Sequence, residues 1–183
     1  MKAGRIIRTF FAKDGREVVL RTPTWNDLDD LLALINSLVE ERAEILIDEK
    51  LLRSEEIDWL SKTLACLEKD ETFQLVAEVG GRVVGTADFG RKTRGYDKHL
   101  GMLGIVIGSG YRDQGIGTEM MKTLIEHARA MDLRLLALGV YATNERAKHL
   151  YQKLGFVETG RIPRKFLREG KYVDEITMVK ALD

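Results

Sequence analysis

Two glycines at the point where an apolar run gives way to a helical pattern constrain this chain more than any other feature. The stretch "YRDQGIGTEMM", Tyr111 to Met121, follows "MLGIVI" and opens a run with Ile116, Met120, Met121, Leu124, Ile125, Ala128 and Met131 at helical spacing. Gly115 and Gly117 at such a junction let the backbone approach a ligand closely, because glycine has no Cβ. Unpaired N–H groups at a helix start lie at the positive end of the helix dipole and suit an anion, above all a phosphate. The sequence therefore predicts a phosphate-binding strand-to-helix turn and leaves the phosphate unnamed.

Two common answers fail on spacing. A nucleotide loop of the form Gly-x-x-x-x-Gly-Lys-Ser/Thr is absent, since Lys165 stands where Gly170-Lys171 would need its first glycine. A dinucleotide fingerprint would need glycine at Met120 or at Asp113. What remains is Arg112-x-x-Gly115-x-Gly117. Composition removes further classes. Lys+Arg 29 against Asp+Glu 29 gives a net charge of +0, which lacks the general basic excess of a nucleic-acid binder. The one cysteine, Cys66, excludes an internal disulfide, and no Cys/His run has metal spacing. No apolar run reaches the roughly 18 residues of a membrane span, and Arg5 and Arg8 interrupt the N-terminus where a signal peptide would be apolar. The expectation is one domain over 1–183 in the cytoplasm, with no metal, membrane or nucleic-acid partner.

The order of elements is mixed. "RIIRTFFA" and "REVVLRT" flank "KDG" as a hairpin that makes residues 1–22 an N-terminal extension. Leu28, Leu31, Leu32, Ile35, Leu38 and Val39 mark a first helix, with Thr24 or Asn26 as its cap, and Ile57, Leu60, Leu64 and Leu67 mark a second. "TFQLVAEV" and "RVVGTADF" around Gly80-Gly81 give the strongest hairpin signal. A polar loop "RKTRGYDKH" precedes the strand "LGMLGIVI", and "LRLLALGV" is apolar enough for a strand covered on both sides. A short helix from Asn144 to Gly155 carries Ala147, Leu150, Tyr151 and Leu154 on one face. Strand-like "FVETG" and "KYVDEITMVKAL" close the chain, separated by the basic "RIPRKFLREG", read as a polar loop. One mixed sheet with helices on its faces accounts for this order.

The Arg112-x-x-Gly115-x-Gly117 turn resembles the acyl-CoA-binding segment of the GNAT family of N-acetyltransferases. "NERAKHLYQKLGF", Asn144 to Phe156, resembles that family's second segment, N-x-x-A-x-x-L-Y-x-x-x-G-F, at the expected distance. The resemblance runs from about Asn26 to the end. It implies an α/β (α+β) acyl-CoA N-acyltransferase fold: a single mixed, mostly antiparallel sheet with splayed central strands and helices on both faces. It also implies acetyl-CoA as cosubstrate. Its pyrophosphate would lie on the turn from Arg112 and Asp113 through Gln114, Gly115, Ile116, Gly117 and Thr118. Its pantetheine arm would run along the backbone of Ile105, Val106 and Ile107, with Asn144, Ala147 and Tyr151 beside the arm and sulfur. The acceptor would be an amine-bearing small molecule or a protein, and the assembly a monomer or homodimer.

Chemistry then asks for a base to deprotonate the amine and an acid for the departing thiolate. Tyr151 matches the family's tyrosine near the sulfur, although its place on an apolar stripe also suits plain core. Asn144 reads both as a cofactor contact and as a helix cap; Arg112 reads as a phosphate ligand or as a solvated charge. Some family members carry a glutamate base at positions that fall here on about Gly101 or Gly139, and neither glycine can take a proton. His99, Asp97, Asp88 or a water chain remain, with His99 the titratable group of ordinary neutral range. The missing glutamates leave open a second reading, a catalytically silent acyl-CoA-binding regulatory domain.

Overall fold

A computed structural model describes residues 1–92 and 94–182; Thr93, within the predicted loop, and Asp183 lie outside the described residues. The strands are β1 (Ile6–Phe11), β2 (Glu17–Arg21), β3 (Thr72–Val79), β4 (Arg82–Arg91), β5 (Leu100–Ile107), β6 (Leu135–Tyr141), β7 (Val157–Arg168) and β8 (Lys171–Ala181). The helices are α1 (Leu28–Glu40), α2 (Arg53–Glu68), α3 (Ile116–Ala130) and α4 (Glu145–Lys153). The strands form one mixed sheet in the order β1-β2-β3-β4-β5-β6-β8-β7. Among the described pairings β5–β6 is parallel and the rest are antiparallel. Contacts group the residues into two compact units, Met1–Gly90 with Gly104–Leu124, and Arg91–Leu103 with Ile125–Asp183.

In the first unit the predicted hairpin forms as β1 and β2, and β3–β4 turn through Gly80 and Gly81 at φ 57° and 76°, the left-handed pair of a primed hairpin turn. Leu28, Leu31, Leu34 and Leu38 of α1 pack with Leu60 of α2 and with Val76 and Val83 of the sheet. Each such leucine contributes about 1.5–3 kcal/mol by leaving water. Leu34 replaces the predicted Leu32 on the buried face, and α1 begins after a 3-10 turn, Trp25–Asp27. That turn explains the cap as well. Thr24 precedes it, and the Asp27 carboxylate accepts the Thr24 N–H at 2.7 Å and both Arg21 amino groups at 2.7 Å. Arg21 also donates to Glu78 at 2.7 Å, so one guanidinium joins β2, β3 and the entrance to α1.

In the second unit β6 is buried apart from Leu135 and Gly139, pairing with β8 along its whole length. Its parallel ladder with β5 stops after three pairs, Leu100 with Leu135, Gly101 with Leu136 and Met102 with Ala137. Asn144 caps α4, accepting the Ala147 N–H at 3.0 Å. The basic stretch is not a loop. β7 runs through it to Arg168, and the connection to β8 is the two-residue turn Glu169-Gly170, both at positive φ. Its polarity reflects exposure on the last strand of the sheet, where a strand needs no apolar alternation.

Candidate active site

The strand-to-helix turn is built as its glycine suggested. Gly115 stands at φ +87°, a conformation other residues rarely adopt, and its carbonyl accepts the Glu119 N–H at 3.1 Å as the first helical bond of α3. The N–H groups that follow, on Ile116, Gly117 and Thr118, have no earlier helical carbonyl to bond. A Cβ on Gly115 would meet no atom within 4 Å, so the outer side of the turn is open. These donors fit a pyrophosphate. The N-terminal hairpin braces the turn: the Lys13 N–H donates to the Gln114 carbonyl at 3.0 Å, Arg16 donates to Gly110 O at 3.1 Å and lies 4.4 Å over the Tyr111 ring, and Arg8 pairs with Glu119 at 3.0 Å. Asp113 is exposed at φ 62°.

Arg112 is held from both ends. Its Nε donates to the Ile107 carbonyl at 2.9 Å, and its terminal nitrogen pairs with Glu41 just past α1. On β5 the Gly108 N–H donates to Val84 of β4 at 2.9 Å. Strand alternation then turns Val106 toward β4 and the backbone groups of Ile105 and Ile107 to the opposite edge, the orientation an added extended arm requires.

Tyr151 on α4 is 7% exposed, with its ring 6.0 Å from that of Phe156. Burial pushes its phenol up to about 12. No protein group among the described residues bonds its hydroxyl, yet no buried side-chain oxygen lacks a partner, so the hydroxyl tip meets solvent. Tyr151 therefore combines a core ring with a hydroxyl that keeps its proton. Ala147 lies half-buried in the first turn of the same helix.

The base candidates separate by environment. His99 lies exposed in the turn before β5, and its carbonyl accepts the N–H groups of Arg134 and Leu135 at 2.9 and 3.2 Å, which fixes the start of β6. Asp97 pairs with Lys92 at 2.5 Å, and that hydrogen bond holds its carboxyl below the usual range, making it a weak base. Asp88 on β4 is different: desolvation raises it from 3.8 to about 6. The space beside it is Gly104 of β5, where a Cβ would come within 3.3 Å of the Asp88 Oδ1.

Sequence reasoning missed Glu175. It is 8% exposed on β8, and its carboxylate fills the room over Gly139, where a Cβ would lie 2.5 Å from Oε2. Lys165 donates to the same oxygen at 2.5 Å. A charged pair "DE" inside the apolar run "YVDEITMV" was the available signal, because a strand residue of that kind is buried only with a partner.

Comparison with known proteins agrees with this geometry. Residues 32–156 match the model of the Acetyltransferase (GNAT) family. An L-amino acid N-acyltransferase of Escherichia coli (strain K12) is 31% identical over 111 residues, 60% of this chain and 64% of that enzyme, so the match spans just under two thirds of that relative. An acetyltransferase of the GNAT family from Streptococcus pneumoniae has a TM-score of 0.80 at 32% identity, over 90% of this chain and 99% of that one. A GNAT superfamily phosphinothricin acetyltransferase from Sinorhizobium meliloti, solved in complex with acetyl-CoA, has a TM-score of 0.79 over 90% of this chain and 88% of that one; at 18% identity it speaks for the fold.

Proposed function

The chain belongs to the GNAT family of acetyltransferases, and on that premise we propose that it moves an acetyl group from acetyl-CoA to the primary amine of an amino acid. The observation that carries the reading is the α3 turn, with Gly115 in the left-handed region and the N–H groups of Ile116 to Thr118 unpaired by the helix. Acetyl-CoA supplies a thioester carbonyl as electrophile and a thiolate as leaving group. The chain supplies proton management and position.

The turn holds the pyrophosphate, and the outward backbone groups of Ile105 and Ile107 hold the arm. An ammonium is no nucleophile, so a base must first take its proton. We assign that step to Asp88 rather than His99, because a carboxyl raised to about 6 takes a proton more readily than an ordinary aspartate and is still mostly ionised at 7. Tyr151 keeps its proton throughout the neutral range and gives it to the departing sulfur. The reading of a silent binding module rested on glycine at 101 and 139; a desolvated carboxylate at Asp88 supports the enzyme instead.

The test is thiol release from acetyl-CoA over free amino acids, polyamines and short peptides, with a no-acceptor control for Cys66. Release with amino acids is expected. Binding of acetyl-CoA with no release from any amine would return the chain to the silent class. Gly117→Trp is expected to fill the phosphate turn and abolish acetyl-CoA binding in calorimetry.

A further inference from the structure

Asp88 has a polar neighbour that proton transfer alone leaves unused. On the paired strands β3 and β4, Gln74 stands directly opposite Asp88, and Val76 directly opposite Thr86. Opposed residues point to one side of a sheet and alternate residues of a strand share a face, so these four project together. Val76 lies in one core cluster with Leu31 of α1 and Leu60 of α2, which identifies the face those helices cover. Gln74, Val76 and Thr86 are buried there and Asp88 is half-buried, so the cover opens at the carboxylate. The Gln74 amide has one orientation. The Thr86 hydroxyl donates its proton to the Leu75 carbonyl at 3.0 Å, so its oxygen accepts from the Gln74 Nε2 at 2.6 Å and the Gln74 Oε1 turns away. Gln74 is 3% exposed, no group among the described residues donates to its Oε1, and no buried side-chain oxygen lacks a partner, so Oε1 meets open space. The Asp88 carboxylate likewise has no protein partner among the described residues.

Two acceptors side by side, with no donor from the protein, call for a ligand rich in N–H. Gly104 keeps the space beside them clear, since a Cβ there would come within 3.3 Å of the Asp88 Oδ1, and the next residue of β5 is Ile105, where the bonds assigned to the cofactor arm begin. Resting on the acetyltransferase reading with Asp88 as base, we propose that Gln74 is the second acceptor for the incoming ammonium and selects primary over secondary amines, with Thr86 as the positioning residue that fixes its amide. A primary ammonium has three N–H bonds, and the reaction disposes of two. One proton goes to Asp88, the freed lone pair forms the new N–C bond as the thioester C–S bond breaks, and a second proton leaves the nitrogen as the sulfur becomes a thiol. The third N–H survives in the amide, and the Gln74 Oε1 holds it from binding to product. A secondary ammonium has no such bond to spare: its second alkyl group takes that place and leaves Oε1 desolvated without a donor.

The experiment measures kcat/KM by thiol release for L-methionine, benzylamine and every other primary amine found active, each against its N-methyl counterpart, in the full chain and in Gln74→Met, Thr86→Val and Thr86→Ser. Circular dichroism and acetyl-CoA affinity establish that each variant is folded, and Gln74→Met and Thr86→Val break the same contact from opposite sides, so one folded variant suffices. The unaltered chain is expected to favour primary amines by about tenfold or more. Gln74→Met is expected to cut kcat/KM for primary amines about tenfold and to leave secondary amines within about twofold, which collapses the ratio. Thr86→Val is expected to lower the ratio in the same direction, and Thr86→Ser, which keeps the hydroxyl, to restore it. Three outcomes overturn the inference while leaving the acetyltransferase reading standing: equal use of both classes by the unaltered chain, a ratio unmoved by Gln74→Met, or an equal loss for both classes in that variant. Acetyl-CoA binding without release from any amine overturns both.

Discussion

Arg112 and Glu41 form an ion pair between the phosphate turn and the end of α1, with the Arg112 Nε also donating to Ile107. The pair neutralises the one arginine inside the turn motif. Both side chains are about a quarter exposed, so the pair contributes on the order of an exposed ion pair, ~0.2–1 kcal/mol. Glu41→Gln is expected to free the guanidinium for a phosphate and tighten acetyl-CoA binding about twofold to fivefold at low salt. Calorimetry checks it. Weaker binding in Glu41→Gln would mean that the pair is needed to shape the turn.

Asp88→Asn separates activity from stability. The Asp88 carboxyl is raised to about 6 when folded and is near 3.8 otherwise, so the folded state retains a proton that the unfolded chain releases between those values. Stability from this group is therefore full below about pH 4 and is lost as pH rises through 6. At pH 8 the asparagine variant is expected to be more stable by about 1–2 kcal/mol, after discounting for partial exposure. Its turnover is expected to fall about a hundredfold, with loss of the acidic limb near pH 6 in kcat/KM. A variant that keeps both turnover and limb would exclude Asp88 as the base.

Tyr151→Phe keeps the buried ring and removes the proton. Turnover is expected to drop about tenfold to a hundredfold, with acetyl-CoA affinity within twofold of the unaltered chain. Unchanged turnover would leave Tyr151 as packing alone. In stability terms the raised phenol acts at the other end of the scale: its contribution is intact below about pH 10 and lost as pH rises toward 12.

Asp27→Ala should be the most damaging of these changes to folding. It strips two bonds from Arg21 and one from the Thr24 N–H, leaving a half-buried guanidinium with Glu78 and a longer bond to the Thr22 carbonyl. A loss of about 2–4 kcal/mol is expected in urea unfolding. A loss below about 0.5 kcal/mol would show that water replaces the carboxylate at no cost.

The two segments that identify the family were legible because they are local. A glycine with its φ, a helix cap and a hairpin turn are decided within a few neighbouring residues, so Gly115, Asn144 and Gly80-Gly81 stand where their sequence put them. The same holds for the apolar stripes of α1 and α2, apart from Leu34, which is buried where Leu32 was expected. The basic stretch from Arg161 to Gly170 escaped this logic, because exposure on the outermost strand removed the alternation by which strands are recognised.

The charges that decide chemistry were settled by distant partners. An aspartate at 88 is ordinary until the fold desolvates it beside Gly104 of β5. A glycine at 139 looks like a missing base until β8 lays Glu175 into its empty side-chain space, and Lys165 looks solvated until a bulge carries it there. Local sequence determined the backbone conformations, which depend on sterics between neighbours. Only the tertiary structure decided burial and charge pairing, because a carboxylate's proton affinity depends on what replaces water around it.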